Sequence, residues 1–160
     1  MSDAEEFSWF YQAEFPAVVR TIFLILHDRG RAEEIAQESF IQLLSRWKKV
    51  SAYDHPDAWV RRVAIRLAIR ATRRDRLRLR LEVGVEPPAA PGPIDVDLVR
   101  AIRTLSPAQR AAVVLFYFED RPVAQVARIL NCSDATAKVH LHRARKRLGQ
   151  LLGEEVQGVS

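Results

Sequence analysis

The chain has a single cysteine and no apolar segment long enough to cross a bilayer. Cys132 alone cannot form an intramolecular disulfide. The longest apolar run, residues 111–118, falls far short of the ~20 residues that span a membrane. Polar residues follow Met1 at once, so the sequence contains no recognisable signal peptide. These absences predict a cytoplasmic chain without membrane insertion.

The sequence patterns of catalytic and metal sites are also missing. There is no glycine-rich phosphate loop and no convincing nucleophile–base pair. Cys132, His140 and His142 are the strongest metal candidates, but the two histidines lie two residues apart on a predicted helix and point to different faces. Cys132 is better explained as a small core residue. We therefore expect no enzyme activity, no cofactor and no metal.

Charge is abundant but segregated along the chain. The net charge of +5 conceals an acidic segment, residues 1–60, with 10 Asp/Glu against 6 Lys/Arg. Residues 61–81 carry nine basic residues against one acidic residue, and residues 121–147 carry seven against one. Solvated helix faces commonly mix both signs, whereas this cationic excess suits a polyanion. The pattern predicts two nucleic-acid contacts on one chain.

Apolar residues recur at helical spacing almost throughout, which predicts an all-α protein. The predicted helices cover residues 7–27, 32–47, 57–81, 96–105, 107–118, 122–130 and 134–152. Pro16 should kink or split the first helix. Residues 28–30 should form a turn, and Asp54 is the candidate cap of the third helix.

A proline-rich segment interrupts this pattern between residues 86 and 95. Its four prolines are Pro87, Pro88, Pro91 and Pro93. Because no helix tolerates that density of proline, the segment predicts an extended linker. We expect a first domain over residues 1–81, a linker over residues 82–97 and a second domain over residues 98–160, with each domain only marginally stable alone.

The second domain ends in the pattern of a helix-turn-helix. A short helix is followed by a tight turn at Asn131 and Cys132 and by a longer basic helix that Ser133 caps. The predicted buried set is Ala127, Leu130, Cys132, Ala137, Leu141, Ala144 and Leu148. The outward face, with Lys138, Val139, His142 and Arg143, would meet a DNA major groove. A plain helical hairpin with a solvated charged face is the alternative.

Two further helices combine a core face with a polar face. In the third helix, Arg62, Arg66, Arg70 and Arg73 form a row beside the apolar row Trp59, Val63 and Leu67. In the second helix, the predicted buried stripe is Ala32, Ile35, Ala36, Ser39, Phe40, Leu43, Leu44 and Trp47. Its opposite face shows Glu33, Glu34, Gln37, Glu38 and Gln42. Taken alone, this acidic face fits an ordinary solvated surface as well as a partner surface.

In combination these segments resemble the extracytoplasmic-function (ECF) group of bacterial sigma factors, over about residues 7–152. Residues 32–40 (AEEIAQESF) are similar to the helix that docks on the clamp helices of the largest polymerase subunit. Residues 55–60 (HPDAWV) are similar to the start of the helix that melts and reads the minus-ten element. Residues 106–110 (SPAQR) and 131–145 resemble the C-terminal domain and its minus-thirty-five helix.

The resemblance implies a non-enzymatic sigma factor that directs promoter-specific initiation. Its implied partners are promoter DNA, core RNA polymerase (the clamp helices of the largest subunit and the flap of the second-largest) and, as a further candidate, an anti-sigma factor. The implied polymerase contacts are Glu34, Gln37 and Glu38. The implied DNA contacts are Trp59, Arg62, Arg66, Arg70 and Arg73 at the minus-ten element, and Thr136, Lys138, Val139, His142 and Arg143 at the minus-thirty-five element.

The chain departs from the family pattern within both DNA-reading helices. Arg66 and Arg70 stand where the family often has Asn and Asp, and arginine prefers phosphate or guanine. Val139 and His140 stand where Ser and Arg are common. Two other functions stay open: a stand-alone helix-turn-helix regulator, and a sigma-like decoy that binds polymerase without opening promoters.

Overall fold

The computed structural model describes residues 1–79 and 96–152, and the regular structure in these ranges is entirely helical. The elements are α1 (Asp3–Leu26), α2 (Arg29–Ser45), α3 (Trp47–Val50), α4 (Pro56–Leu79), α5 (Val96–Arg103), α6 (Pro107–Val113), a π-helical segment (Val114–Phe118), α7 (Val123–Leu130) and α8 (Asp134–Leu152). The all-α class is confirmed. The predicted linker lies outside the described residues, except for its last two positions, which begin α5.

The break that Pro16 could impose on the first helix does not occur. α1 is one helix from Asp3 to Leu26, with Ser2 capping it through a hydrogen bond from the Glu5 N–H. The Pro16 side chain is exposed. A proline has no N–H to bond to the carbonyl four residues earlier in the helix. On the solvent side, water can hydrogen-bond to that carbonyl instead.

The turn between α1 and α2 is tighter than residues 28–30. His27 ends α1 with φ of 58°, and Asp28 then caps α2 by accepting a 3.1 Å bond from the Arg31 N–H. α4 likewise begins directly after His55, whose carbonyl accepts the 3.2 Å bond from the Trp59 N–H. His55 rather than Asp54 therefore occupies the N-cap position of α4, and Pro56 is its first helical residue.

The helix predicted over residues 107–118 changes its geometry after Val113. Ser106 and Gln109 form a capping box at the start of α6, and Pro107 is its first helical residue. From Val114 the backbone is π-helical, and the Glu119 N–H bonds to the Val114 carbonyl at 3.1 Å. The wider turn delivers Glu119 to the surface of α1 and α4, where its carboxylate is used.

One hydrophobic core joins the two parts of the chain, which we call the first unit (residues 1–79) and the second unit (residues 96–152). The buried cluster includes Phe23 and Phe40 of the first unit together with Leu115 and Leu141 of the second. α7 packs along α4, and α1 contacts both α5 and α6. The two units therefore share apolar surface.

The helix-turn-helix forms as predicted from α7 and α8. Asn131 adopts the left-handed conformation, with φ of 56°, and ends α7. The Ser133 hydroxyl accepts a 3.1 Å bond from the Thr136 N–H and so caps α8. Ala137, Leu141 and Ala144 are buried, whereas Leu130, Cys132 and Leu148 are only half-buried.

Candidate nucleic-acid interface

The arginine row of α4 lies on the protein surface. Arg62, Arg66, Arg70 and Arg73 are all exposed, and none of them takes part in an ion pair among the described residues. The opposite face of α4 buries Val60, Ala64, Ile65, Ala68 and Ala71 in the core. Burial of that apolar face fixes the rotation of α4, so the guanidinium groups are held outward in one line.

This arginine row borders a groove between α4 and α7. The groove has a volume of about 230 Å³, and its walls include Ile129, Leu130 and Asn131 at the end of α7. Arg62, Arg66, Arg70 and Arg73 form the α4 side. A concave cationic surface concentrates positive potential where a phosphate backbone could run.

Trp59 lies between the core and a second groove. Its ring is half-buried and packs against the core cluster. It also lines a groove of about 530 Å³ with Tyr53, His55 and Arg62 from the first unit and Arg128 from α7. Aromatic and cationic side chains together are the groups on which unstacked bases are held.

The cationic excess of α4 is partly neutralised within the fold. Arg61 is buried and pairs with Glu14 at 2.8 Å and with Glu119. The single acidic residue of the segment, Asp75, pairs with Arg31 of α2. Arg61 is thus not available to an external polyanion, whereas the exposed row Arg62, Arg66, Arg70 and Arg73 is.

The predicted outward face of α8 is exposed. Thr136, Lys138, Val139, His142 and Arg143 all lie on the solvent side, opposite the buried alanines and Leu141. None of the three ionisable side chains among them forms a described ion pair. A helix that is apolar on one side and basic on the other, presented by a tight turn, fits a major groove.

Arg145 differs from the other basic residues of α8. Its guanidinium lies over the rings of Phe116 and Tyr117, at 5.6 Å and 5.5 Å from their centroids, and donates to the Tyr117 hydroxyl. Sequence reasoning missed this contact. The adjacent aromatics of the π-helical segment were its only signal, and pairing them with a residue 28 positions away requires the fold.

The acidic face of α2 adjoins an apolar surface. Glu34, Gln37 and Glu38 are exposed as predicted, and Gln37 lines a groove of about 260 Å³ with Phe7, Tyr11, Phe40, Ile41 and Leu44. The side chains of Ile41 and Leu44 are 67% and 55% exposed. The expectation that Leu44 is buried is wrong, because Leu44 lies with Gln37 and Ile41 on an exposed side of α2, whereas Leu43 of the same helix faces the core. Exposed apolar residues beside polar ones are typical of a protein-docking surface.

Within residues 1–79 and 96–152, no group of three or more His, Cys, Asp or Glu side chains is arranged to hold a metal ion. Burial, and secondarily the charge of Asp134, raises the pKa of the Cys132 thiol. None of the helices described here combines the length and the hydropathy that crossing a membrane requires.

Two family models match the chain, and together they cover more than half of it. The model of sigma-70 region 2 matches residues 10–78, which span α4 and most of α1. The model of sigma-70 region 4 matches residues 95–148, which include the helix-turn-helix.

Relatives that align over most of both chains are also sigma factors. The chain is 28% identical to the RNA polymerase sigma-E factor of Streptomyces coelicolor, over 95% of this chain and 89% of the relative. It is 28% identical to the ECF RNA polymerase sigma factor SigK of Mycobacterium sp. (strain KMS), over 94% and 85% of the two chains. The structure of the sigma factor RpoE of Bartonella quintana, solved with the anti-sigma factor NepR, has the same fold, with a TM-score of 0.74 and 24% identity over 92% of this chain and 97% of RpoE.

Proposed function

We propose that this chain, which belongs to the ECF group of the sigma-70 family and directs transcription initiation by RNA polymerase, uses three separate surfaces for that task. The acidic and apolar face of α2 binds core polymerase. The arginine row of α4 contacts the promoter at the minus-ten element, and the outward face of α8 contacts the minus-thirty-five element.

The observation that carries this proposal is the segregation of surface chemistry on one chain. Exposed cations line α4 and α8, while exposed carboxylates and apolar side chains meet on α2. Cationic faces attract the polyanionic promoter, and an acidic, apolar face suits a protein partner. One chain with both kinds of surface can bring a polymerase to DNA.

The residue assignments follow from this division. Glu34, Gln37 and Glu38 are the proposed polar contacts to the clamp helices of the largest polymerase subunit. Arg62, Arg66, Arg70 and Arg73 are the proposed minus-ten contacts, with Trp59 beside them. Thr136, Lys138, Val139, His142 and Arg143 are the proposed minus-thirty-five contacts. Because arginine favours phosphate or guanine, Arg66 and Arg70 are proposed to grip the backbone more than read bases.

The chain has no proposed reaction of its own, since the polymerase performs the chemistry. Its proposed place of action is the cytoplasm, where polymerase and promoters are found. The flap of the second-largest subunit is a proposed partner of the second unit. An anti-sigma factor is a further proposed partner, as NepR is for RpoE of Bartonella quintana.

Run-off transcription with purified core polymerase on a pool of genomic promoter fragments tests the proposal. We expect discrete transcripts that depend on the protein and that are lost with Gln37→Ala or Glu38→Lys. Gln12→Ala, a change of the same type at an exposed position on α1, is the matched control and should leave them intact. Polymerase binding without transcripts would indicate a decoy, and the absence of both would indicate a stand-alone regulator.

A further inference from the structure

A group of buried and half-buried charges lies where the first unit meets the second. We call it the ion-pair cluster, and it consists of Glu14, Asp57, Arg61, Glu119 and Arg121. Arg61 is almost fully buried, and its Nη2 lies 2.8 Å from a Glu14 carboxylate oxygen within the first unit. Its Nε donates to Oε1 of Glu119 in the second unit. One guanidinium therefore holds an acid from each unit.

A second ion pair crosses the same boundary. Arg121 of the second unit lies 3.0 Å from the Asp57 carboxylate at the start of α4, and 3.1 Å from Glu119. The Thr21 hydroxyl of α1 donates a 2.7 Å bond to the other Glu119 oxygen. Burial alone would raise the pKa of Asp57, but the hydrogen bond and charge of Arg121, followed by the charge of Arg61, lower it below its usual value. The Asp57 carboxylate is therefore ionised at neutral pH.

The two proposed DNA surfaces lie close together. α7 packs against both α4 and α8. Packed helices have axes about 8–10 Å apart, so at closest approach the axes of α4 and α8 lie within about 20 Å of each other. α7 also forms one wall of the groove along the arginine row.

Promoter geometry demands a much larger separation. The minus-ten and minus-thirty-five elements are about 25 base pairs apart, which is about 85 Å along a duplex at about 3.4 Å per base pair. A compact chain of this length has a radius of gyration of only about 15 Å. The arrangement of the described residues cannot place α4 and α8 on both elements at once.

We propose that the ion-pair cluster locks the two units in a closed resting state, which must open before the protein engages both promoter elements. This inference rests on the proposed function, because that function supplies the two DNA sites. Glu119 is the central residue, since it accepts from Arg61, Thr21 and Arg121 at once. When the units separate, water replaces these contacts, which costs free energy. Because that free energy is subtracted from the binding free energy, the apparent affinity for polymerase is lower than that of an already open chain.

Glu119→Gln and the double variant Asp57→Asn/Glu119→Gln test this lock in the full chain. In the single variant Arg61 keeps Glu14 and Arg121 keeps Asp57, so neither buried arginine loses its last acid. The matched control is Asp120→Asn, the same loss of one negative charge at the adjacent, exposed residue. Asp120 has φ of 53°, a conformation that Asn tolerates.

Two measurements are compared across these proteins after circular dichroism has established equal helix content. Small-angle X-ray scattering should give a larger radius of gyration for the double variant than for the wild type and Asp120→Asn. Core polymerase should bind the double variant about five- to tenfold more tightly. Glu119→Gln should shift both values in the same direction, and it supplies the comparison if the double variant does not fold.

An unchanged radius of gyration, or a larger radius without tighter polymerase binding, would overturn the inference. If the wild type fails to bind polymerase, the proposed function fails instead. The scattering comparison, which requires no polymerase, would then still decide whether the cluster closes the chain.

Discussion

The Arg110 guanidinium of α6 donates a 2.8 Å hydrogen bond from Nη1 to the backbone carbonyl of Ile25, 85 residues earlier in the chain. Its Nε donates at 2.9 Å to the Leu105 carbonyl, and its Nη2 donates to the Arg103 carbonyl. The last carbonyls of a helix have no partner within the helix, and Ile25 lies in the last turn of α1. One planar side chain therefore ties the end of α1 to the turn between α5 and α6.

Replacing this arginine should destabilise the whole fold. Arg110→Lys keeps the charge but loses the fork of donors, so we expect the free energy of unfolding to fall by about 2–3 kcal/mol. Chemical denaturation followed by circular dichroism measures it. Arg20→Lys, at an exposed position on α1, is the control and should change stability by less than about 0.5 kcal/mol. Equal stability of the two variants would contradict the bridging role of Arg110.

The buried His27 should make stability depend on pH. Burial, and then the charges of Arg110 and Arg103, lower the pKa of His27 from 6.5 to about 4. The unfolded chain therefore binds a proton between these values that the folded chain excludes. Stability is complete above pH 6.5 and decreases as pH falls from 6.5 towards 4, by about 3 kcal/mol in total.

Denaturation midpoints between pH 7.5 and 4.5 measure this dependence. His27→Asn removes the titrating group and suits the positive φ of 58° at this position. We expect its stability to vary less with pH than that of the wild type over this interval. If both proteins lose the same stability on acidification, another group is responsible.

The exposed apolar residues of α2 should matter for polymerase binding and not for folding. Ile41→Gln with Leu44→Gln removes apolar surface that the described fold leaves uncovered, so stability should change by less than about 0.5 kcal/mol per substitution. Loss of central apolar contacts typically weakens an interface by more than 1 kcal/mol, so we expect polymerase affinity to fall about tenfold or more.

Substitution of the neighbouring Phe40 should instead lower stability, so it is the comparison for the Ile41 and Leu44 substitutions. It packs against Phe10, Tyr11 and Phe15 in the core, so Phe40→Ala should cost about 3–5 kcal/mol of stability. Thermal unfolding and polymerase titration of the two sets of variants separate the folding role from the docking role. Undiminished polymerase binding by the Gln variants would remove this surface from the proposed interface.

The salt dependence of promoter affinity should depend on the phosphate contacts that the arginine row of α4 makes. Each phosphate contact contributes about −0.9 to the slope of log affinity against log salt on duplex DNA, and about −0.7 on single strands. Arg66→Ala and Arg70→Ala in the holoenzyme should each make the slope shallower by about this amount, on all promoter sequences alike. Arg20→Ala, an exposed arginine on α1, should leave the slope unchanged. A loss confined to promoters with guanine at one position would instead indicate base reading.

Much of the fold followed from local patterns. Apolar spacing predicts the helices, Ser106 and Ser133 mark two helix starts, and Asn131 marks the turn of the helix-turn-helix. The errors arise where the outcome depends on distant chain segments. Leu44 fits the apolar stripe of α2 but lies on the exposed side of that helix with Ile41, and Pro16 is tolerated because it faces solvent.

The candidate site divides in the same way. The sequence predicts the exposed row Arg62, Arg66, Arg70 and Arg73, because helical spacing alone sets which residues share a face. It does not predict that Arg61, one residue away, is buried between acids from α1 and the second unit. Ion pairing over 58 residues depends on which helices pack together.

The sequence by itself determined the helices, the cationic and acidic faces and the likeness to sigma factors, since these depend on residue order and local periodicity. The tertiary structure decided which charged side chains stay exposed to solvent and which form ion pairs between the two units. It also decided that the two units share a core and an ion-pair cluster. These relations rest on long-range packing, where burial raises the cost of an unpaired charge and so selects specific partners.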